Sequence, residues 1–377
     1  MDRYLEYAQH RMQEIVDTLR CIVEMESCSA DKASVDRLGH FVASMLENIG
    51  AHVTVIREKF VGDHIVADFG QGSSQILILC HLDTIWPEGT LKNQPFRIED
   101  GIAYGPGIFD MKSGLTIALY ALKCLNDLDV DPQCRIRVLF TSDEEIGAHT
   151  SREYIERYAK ESDLVLCMEA PLGENGALKT ARKGLGIFKL MIRGKEAHAG
   201  NDPEKGVNAI YELAHQLLKL QALNNHSLGT SVNVGVIPGG LVSNQVPSEA
   251  EAEIDVRVAT KEQEKLIIKS IRSLTPVMSG ASIEVKGGMN RPVMERTDAI
   301  GRTFQIAKEL ARNIGIDLVE ASAGGGSDAQ FAAAIGSPVL DGLGAVGDGM
   351  FTDREYIVLQ TVPQRIALLA SLLTNSV

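Results

Sequence analysis

Histidine and acidic side chains recur at four points where an apolar run or a glycine turn gives out. His81 and Asp83 follow Ile76-Leu77-Ile78-Leu79-Cys80, and Asp110 follows Tyr104-Gly105-Pro106-Gly107-Ile108-Phe109. Glu144 and Glu145 follow Thr141-Ser142-Asp143, and Glu169 follows Cys167-Met168. Imidazole and carboxylate donors without thiolates suit zinc, manganese or cobalt. His81 and Asp83 lie two apart, so on an extended chain they face one side. A carboxylate beside an imidazole is a common way to orient a metal-ligating histidine. Adjacent glutamates point in different directions, so one can ligate while the other stays free as a base. An aspartate able to bridge suggests two metals, roughly 3.5–4 Å apart in such sites.

Each feature has a plainer reading when taken singly. His81 and Asp83 would end a strand, Asp110 would cap the helix that follows it, and Ser142–Glu145 would be a solvated acidic turn. Taken jointly they favour a metal site. Four element ends at one side of one sheet all present His, Asp or Glu, and so many carboxylates repel one another unless a cation sits among them.

The elements that must position these residues follow from the apolar pattern. Amphipathic helices are expected over 4–25 and 31–49, with strands at 51–57, 64–69, 75–80, 135–141 and 163–168. Helices are expected at 112–126 and 149–160. A short, continuous apolar run such as 76–80 reads as a fully buried strand. The alternation of strands and helices reads as an α/β sheet, in which ligands sit beyond the carboxyl ends of the strands.

Near residue 180 the pattern changes to strands at 185–193, 230–237, 250–258 and 281–286 and helices at 203–221 and 261–274. Ala252, Ile254, Val256 and Val258 alternate with charged residues, the mark of a sheet with one wet face. The α/β pattern then returns, with helices at 297–313, 327–334 and 362–374 and strands near 316–320 and 337–340. The expected fold is therefore α/β. A discontinuous domain of residues 1–181 and 292–377 carries an inserted α+β lid and dimerisation domain of residues 182–291.

Composition narrows the function. The formal net charge of −13 argues against nucleic acid or an anionic membrane as the main partner. No apolar run approaches membrane-spanning length. The N-terminal residues lack the apolar core of a secretory signal, and the six cysteines are scattered without CxxC spacing. Reduced thiols in a cytoplasmic protein are expected.

In combination and in order, His81-Leu82-Asp83-Thr84, Gly105-Pro106-Gly107-Ile108-Phe109-Asp110-Met111-Lys112-Ser113-Gly114, Thr141-Ser142-Asp143-Glu144-Glu145-Ile146-Gly147 and Met168-Glu169-Ala170 resemble the M20 metallopeptidases. Within that family the likeness is to the glutamate carboxypeptidase branch, and it runs over almost the whole chain. Gly194-Lys195-Glu196-Ala197-His198-Ala199-Gly200, Asn244 and Asp255-Val256-Arg257 extend it into the inserted domain.

The resemblance implies an amide hydrolase with two divalent metals, zinc foremost and cobalt or manganese as options. His81 and Glu169 would bind one metal, Glu145 the other, and Asp110 would bridge them. Asp83 would orient His81, and Glu144 would be the general base. His198, otherwise readable as a surface histidine in a glycine-rich turn, would stabilise the oxyanion in the active site of a dimer partner. Asn244, Arg257 and the backbone of the glycine loop around Gly325 would hold the substrate's free carboxylate. An acyl-amino acid or peptide, perhaps one ending in glutamate, is the expected substrate, and a homodimer the expected assembly.

One position departs from the family pattern. Where a histidine ligand is expected near the C-terminus, Gly347-Asp348-Gly349-Met350-Phe351-Thr352-Asp353 carries Phe351. Phenylalanine cannot bind a metal, and none of the nine histidines is an evident substitute. The Glu145-side metal would be left with Glu145 and Asp110 unless Asp348, Asp353 or water completes it. The alternatives to a peptidase are an N-acyl amino acid deacylase or dipeptidase of the same family, or a protein that binds the ligand without turning it over.

Overall fold

The computed structural model describes residues 2–376, which pack as two compact units. The first unit holds the described residues up to Ala181, then Arg296–Ala323 and those from Ser327 onward. Its centre is an eight-stranded sheet of β1 (His52–Ile56), β2 (His64–Phe69), β3 (Gln75–His81), β4 (Arg135–Thr141), β5 (Leu164–Cys167), β6 (Leu178–Arg182), β7 (Glu320–Ala323) and β8 (Val339–Asp341). The spatial order is β1-β2-β4-β3-β5-β8-β6-β7. Strands β4, β3, β5 and β8 run parallel side by side, while β1 and β2 are antiparallel at one edge.

Every residue of β3 is buried. Burying an Ile or Leu side chain fully stabilises by about 1.5–3 kcal/mol, so the run Ile76–Leu79 makes this strand a rigid base for His81 at its carboxyl end. The helices Ser113–Asp127 and Val362–Asn375 bury most of their residues in the same core, and Lys32–Asn48 buries one face.

The sequence implied one helix over 4–25, and the structure has two, Arg3–His10 and Met12–Glu24, parted at Arg11 where φ is −101°. Several short strands carry no period long enough to read. Arg97–Glu99, Ile102–Tyr104, Gly347–Asp348 and Tyr356–Val358 form a small antiparallel sheet whose hairpin 349–355 holds Phe351.

The second unit, Arg182–Glu295 with Gly324–Gly326, is a four-stranded antiparallel sheet in the order Ser231–Val236, Glu249–Val258, Gly184–Arg193, Ser282–Arg291. The helices Ala209–Gln221 and Lys261–Arg272 contribute Leu213, Leu220, Ile267 and Ile271 to the core beside Phe188, Leu190, Ile254 and Val256. The helix expected from 203 starts later. Asn208 caps it by accepting the N–H groups of Ile210 and Tyr211, and only a single 3₁₀ turn precedes it at Pro203–Lys205. Residues 292–295 and the glycine loop pack with this unit, where the expected boundary was at 291/292. Arg182 donates to the carbonyls of Gly325 and Gly326, and its backbone bridges to Met294.

Candidate metal-dependent active site

Strand β3 delivers His81 to the carboxyl edge of the sheet, and β5 delivers Glu169 two residues beyond its own end. Asp110 arrives from the irregular turn Ile108–Lys112, and a cis peptide bond joins it to Met111. It does not cap the following helix. Its backbone is extended there (φ −120°, ψ 95°), and its carboxylate faces the histidine instead.

Two glycines allow this approach. Gly107 takes a left-handed φ of 69°, and a Cβ there would lie 2.6 Å from Thr84 Cγ2. A Cβ on Gly114 would lie 1.9 Å from the Met168 carbonyl oxygen, so only glycine lets the helix pass so close to Glu169.

The three side chains converge. His81 Nε2 lies 3.3 Å from Asp110 Oδ1 and 3.7 Å from Glu169 Oε1, and all three residues are buried. The other imidazole nitrogen, Nδ1, is 2.9 Å from the Asp83 backbone carbonyl. A carbonyl only accepts, so Nδ1 carries a proton and Nε2 is the nitrogen turned towards the two carboxylates. Among the described residues this is the one group of three or more His, Cys, Asp or Glu arranged to hold a metal ion.

Asp83 orients His81 through its backbone oxygen, its carboxylate lying 3.6 Å from Nδ1. That carboxylate holds the acidic turn. It accepts the Ser29 hydroxyl at 2.7 Å and the N–H groups of Glu144 and Glu145 at 3.2 Å each. Burial alone would raise Asp83, but His81, Ser29 and the Glu145 N–H outweigh it and hold its carboxyl below the usual range.

The Glu145 carboxyl is pushed the other way. Burial, then the charge of Asp110, raise it to about 10, and its buried Oε1 has no hydrogen-bond partner. Burial also disfavours a charged His81, yet the carboxylates of Asp110 and Asp83 overcome this and raise it well above the ordinary imidazole value. A crowded set of anionic donors with an orphaned carboxylate oxygen is the chemistry that a divalent cation satisfies. The residues present therefore fit a metal, with His81, Asp110 and Glu169 as one donor set and Glu145 beside it.

Glu355 and Ser29 carry no motif signal, and the sequence reading passed over both. Glu355 is buried under the Asp110 turn and accepts N–H groups from Gly107, Phe109 and Asp110. Burial raises its carboxyl to about 7 although these donors pull it down. Phe351 is 50 % exposed at a left-handed φ of 63°. Asp348 and Asp353 are exposed and outside the convergent group.

His198, Asn244, Arg257 and Gly325 belong to the second unit. Strand Ala197–His198 pairs with Gln245–Val246, and Ala199 N–H donates to the Asn244 carbonyl, so His198 and Asn244 sit together. His198 Nδ1 accepts from Gly200 and Asn201 N–H at 3.1 Å each, which leaves the proton of the neutral ring on the exposed Nε2. Arg257 is braced by Asp255 through Nε and Nη2 and donates through Nη1 to the Gly324 carbonyl, next to Gly325.

No helix among the described residues is long and apolar enough to cross a membrane, and all six cysteines are free. Residues 77–375 match the model of peptidase family M20/M25/M40. Carboxypeptidase G2 of Pseudomonas sp. (strain RS-16) is 33% identical over 373 residues, 96% of this chain and 89% of that protein. The aminopeptidase PepT of Bacillus cereus ATCC 10987 superposes with a TM-score of 0.81 at 21% identity, over 96% of this chain and 98% of that one. The M20 family metallo-carboxypeptidase Sso-CP2 of Sulfolobus solfataricus superposes with a TM-score of 0.73 at 18% identity, with the same coverage. With its His81–Asp110–Glu169 cluster and a family match spanning most of its length, the chain belongs to the M20/M25/M40 peptidases, a family of metal-dependent hydrolytic enzymes.

Proposed function

We propose that the protein hydrolyses the amide bond joining an acyl or peptidyl group to an amino acid with a free carboxylate, glutamate foremost. The convergence of His81, Asp110 and Glu169 with the orphaned carboxylate of Glu145 carries the reading. When bound there, a divalent cation (zinc foremost, manganese or cobalt by the same donor set) lowers the pKa of water towards neutrality and polarises the scissile carbonyl.

Every other task falls to the chain. Glu144, held by the same Asp83 carboxylate as Glu145, takes the proton of the attacking water and returns it to the leaving nitrogen. The Nε2–H of His198 donates to the developing oxyanion in a partner subunit's site. Arg257 has N–H groups left after binding Asp255 and Gly324, and its planar fork suits the substrate's carboxylate. Asn244 and the Gly325 backbone complete that pocket.

Phe351 leaves the Glu145 side short of one ligand, so two metals bind with unequal affinity. The protein works as a cytoplasmic homodimer. The exposed Tyr211 and Leu218 on helix Ala209–Gln221 and the edge strand Ser231–Val236 support pairing through the second unit.

A panel of N-acyl-glutamates, other N-acyl amino acids and dipeptides, assayed with zinc and with excess chelator, tests the proposal. Chelator-sensitive release of glutamate is expected. Preference for other acyl amino acids or for dipeptides would place the chain with the deacylases or dipeptidases of the family. Binding without turnover would make it a ligand-binding protein.

A further inference from the structure

The turn that carries Asp110 bonds Ile108, Lys112 and Ser113 N–H to its own carbonyls but not the N–H groups of Gly107, Phe109 and Asp110. Gly107 is left-handed, and Asp110 and Met111 depart from helical geometry, so the N–H groups of Gly107, Phe109 and Asp110 need acceptors from elsewhere. One side chain supplies them. Glu355 Oε1 receives Phe109 N–H at 2.8 Å and Asp110 N–H at 3.1 Å. Its Oε2 receives Gly107 N–H at 3.0 Å and the indole N–H of Trp86 at 3.0 Å. Glu355 is 3% exposed, and all four of these partners are donors.

We propose that Glu355 is the positioning residue of the metal centre, a carboxylate clamp that fixes the Asp110 turn so that Asp110 Oδ1 meets His81 Nε2. The inference rests on the reading of Asp110 as a metal ligand. The bonds that Glu355 makes to the turn are to backbone N–H groups, so its influence on the site runs through the backbone of Asp110. It also gives the 349–355 hairpin a task that does not depend on a ligand at position 351. Phe351 stands half-exposed at a left-handed turn while Glu355, four residues on, reaches the buried Asp110 turn. An amide in its place offers one acceptor oxygen and one NH₂ group, and the NH₂ must face N–H donors that it cannot satisfy. Aspartate keeps the charge but draws both oxygens back by one methylene.

Zinc affinity, measured by competition with a chromophoric chelator on the full chain, separates positioning from plain stability. Glu355→Gln is expected to weaken the tight zinc site by about 10–100-fold, the usual effect of losing an outer partner of a ligand. The value of kcat should fall, while KM, set by residues elsewhere, should change by less than about threefold. Glu355→Asp should recover part of both losses. A merely structural Glu355 would lower Tm but leave the zinc affinity of the folded protein at the parent value, and that result overturns the inference. If Glu355→Gln does not fold, Glu355→Asp decides alone: weakened zinc and lower kcat support the clamp, and parent values for both refute it. A parent that binds no zinc defeats the reading of Asp110 as a ligand, whereas a parent that binds zinc and a variant that binds it equally defeat only the clamp.

Discussion

The carboxylate of Asp83 receives the backbone N–H of Glu145 at 3.2 Å, while its own backbone carbonyl receives Nδ1–H of His81 at 2.9 Å. One residue thus sets both the His81 imidazole and the acidic turn. The two tasks separate under mutation. Asp83→Asn keeps the carbonyl for His81 but places an NH₂ group among the Ser29, Glu144 and Glu145 donors. Zinc affinity and kcat are expected to fall by about 10–100-fold. Parent values for both, measured by chelator competition and initial rates, would show that the turn needs no such anchor.

Glu144 and Glu145 share the turn held by Asp83, and both lie outside the convergent group of His81, Asp110 and Glu169. Glu144→Gln should lower kcat by about 10²–10⁴-fold, the range of a general base, with metal content unchanged by elemental analysis. Loss of metal with the rate per bound metal preserved would mean that the roles of Glu144 and Glu145 are exchanged.

The strands that build the site were legible because their residues follow a simple rule. The unbroken apolar runs of β3 and β5 are buried on both faces, as such runs in parallel sheets are, and the alternation in Glu249–Val258 puts its apolar residues on the covered face. Motif order also marks His81, Asp110 and Glu169 as members of one candidate set. The supports could not be read that way. Glu355 lies in an acidic, irregular stretch, 245 positions from the Asp110 N–H that it accepts. Ser29 meets Asp83 across 54 positions. Contacts of such separation, made to backbone groups, leave no period or spacing behind. The division of labour within Asp83, backbone to His81 and carboxylate to the turn, likewise rests on 2.9 Å against 3.6 Å from Nδ1.

Asp63 is a buried carboxylate gripped by Lys32, Arg57 and the Glu58 N–H. Burial would raise it, but these partners outweigh burial and lower it below the ordinary value. A carboxyl depressed in the folded state stabilises above its unfolded value, about 3.9, and that stabilisation is lost as pH falls through the folded value. Thermal melts of Asp63→Asn should therefore show a lower Tm at neutral pH and a smaller further loss below about pH 4 than the parent. Parallel acid limbs would refute the assignment.

The second unit exposes Tyr211 by 65% and Leu218 by 67% on one helix, and Ser231–Val236 is an edge strand of its sheet. Light scattering at micromolar concentration should find a dimer, and Leu218→Glu should shift it towards monomer while leaving the fold intact by circular dichroism. A parent that is monomeric throughout would remove both the dimer and the role given to His198.

The most direct measurement is zinc bound per chain, titrated against a chelator of known affinity for the parent, Asp110→Ala and Phe351→His, with hydrolysis of an N-acyl-glutamate followed in the same samples. One zinc should bind the parent tightly through His81, Asp110 and Glu169, and a second, on the Glu145 side, at least about 10–100-fold more weakly for want of a ligand at Phe351. Asp110→Ala should lose the tight zinc together with activity. Phe351→His should tighten the second site and raise turnover. A parent that binds no zinc, or one whose tight zinc survives Asp110→Ala undiminished, would contradict a metal centre built on His81, Asp110 and Glu169.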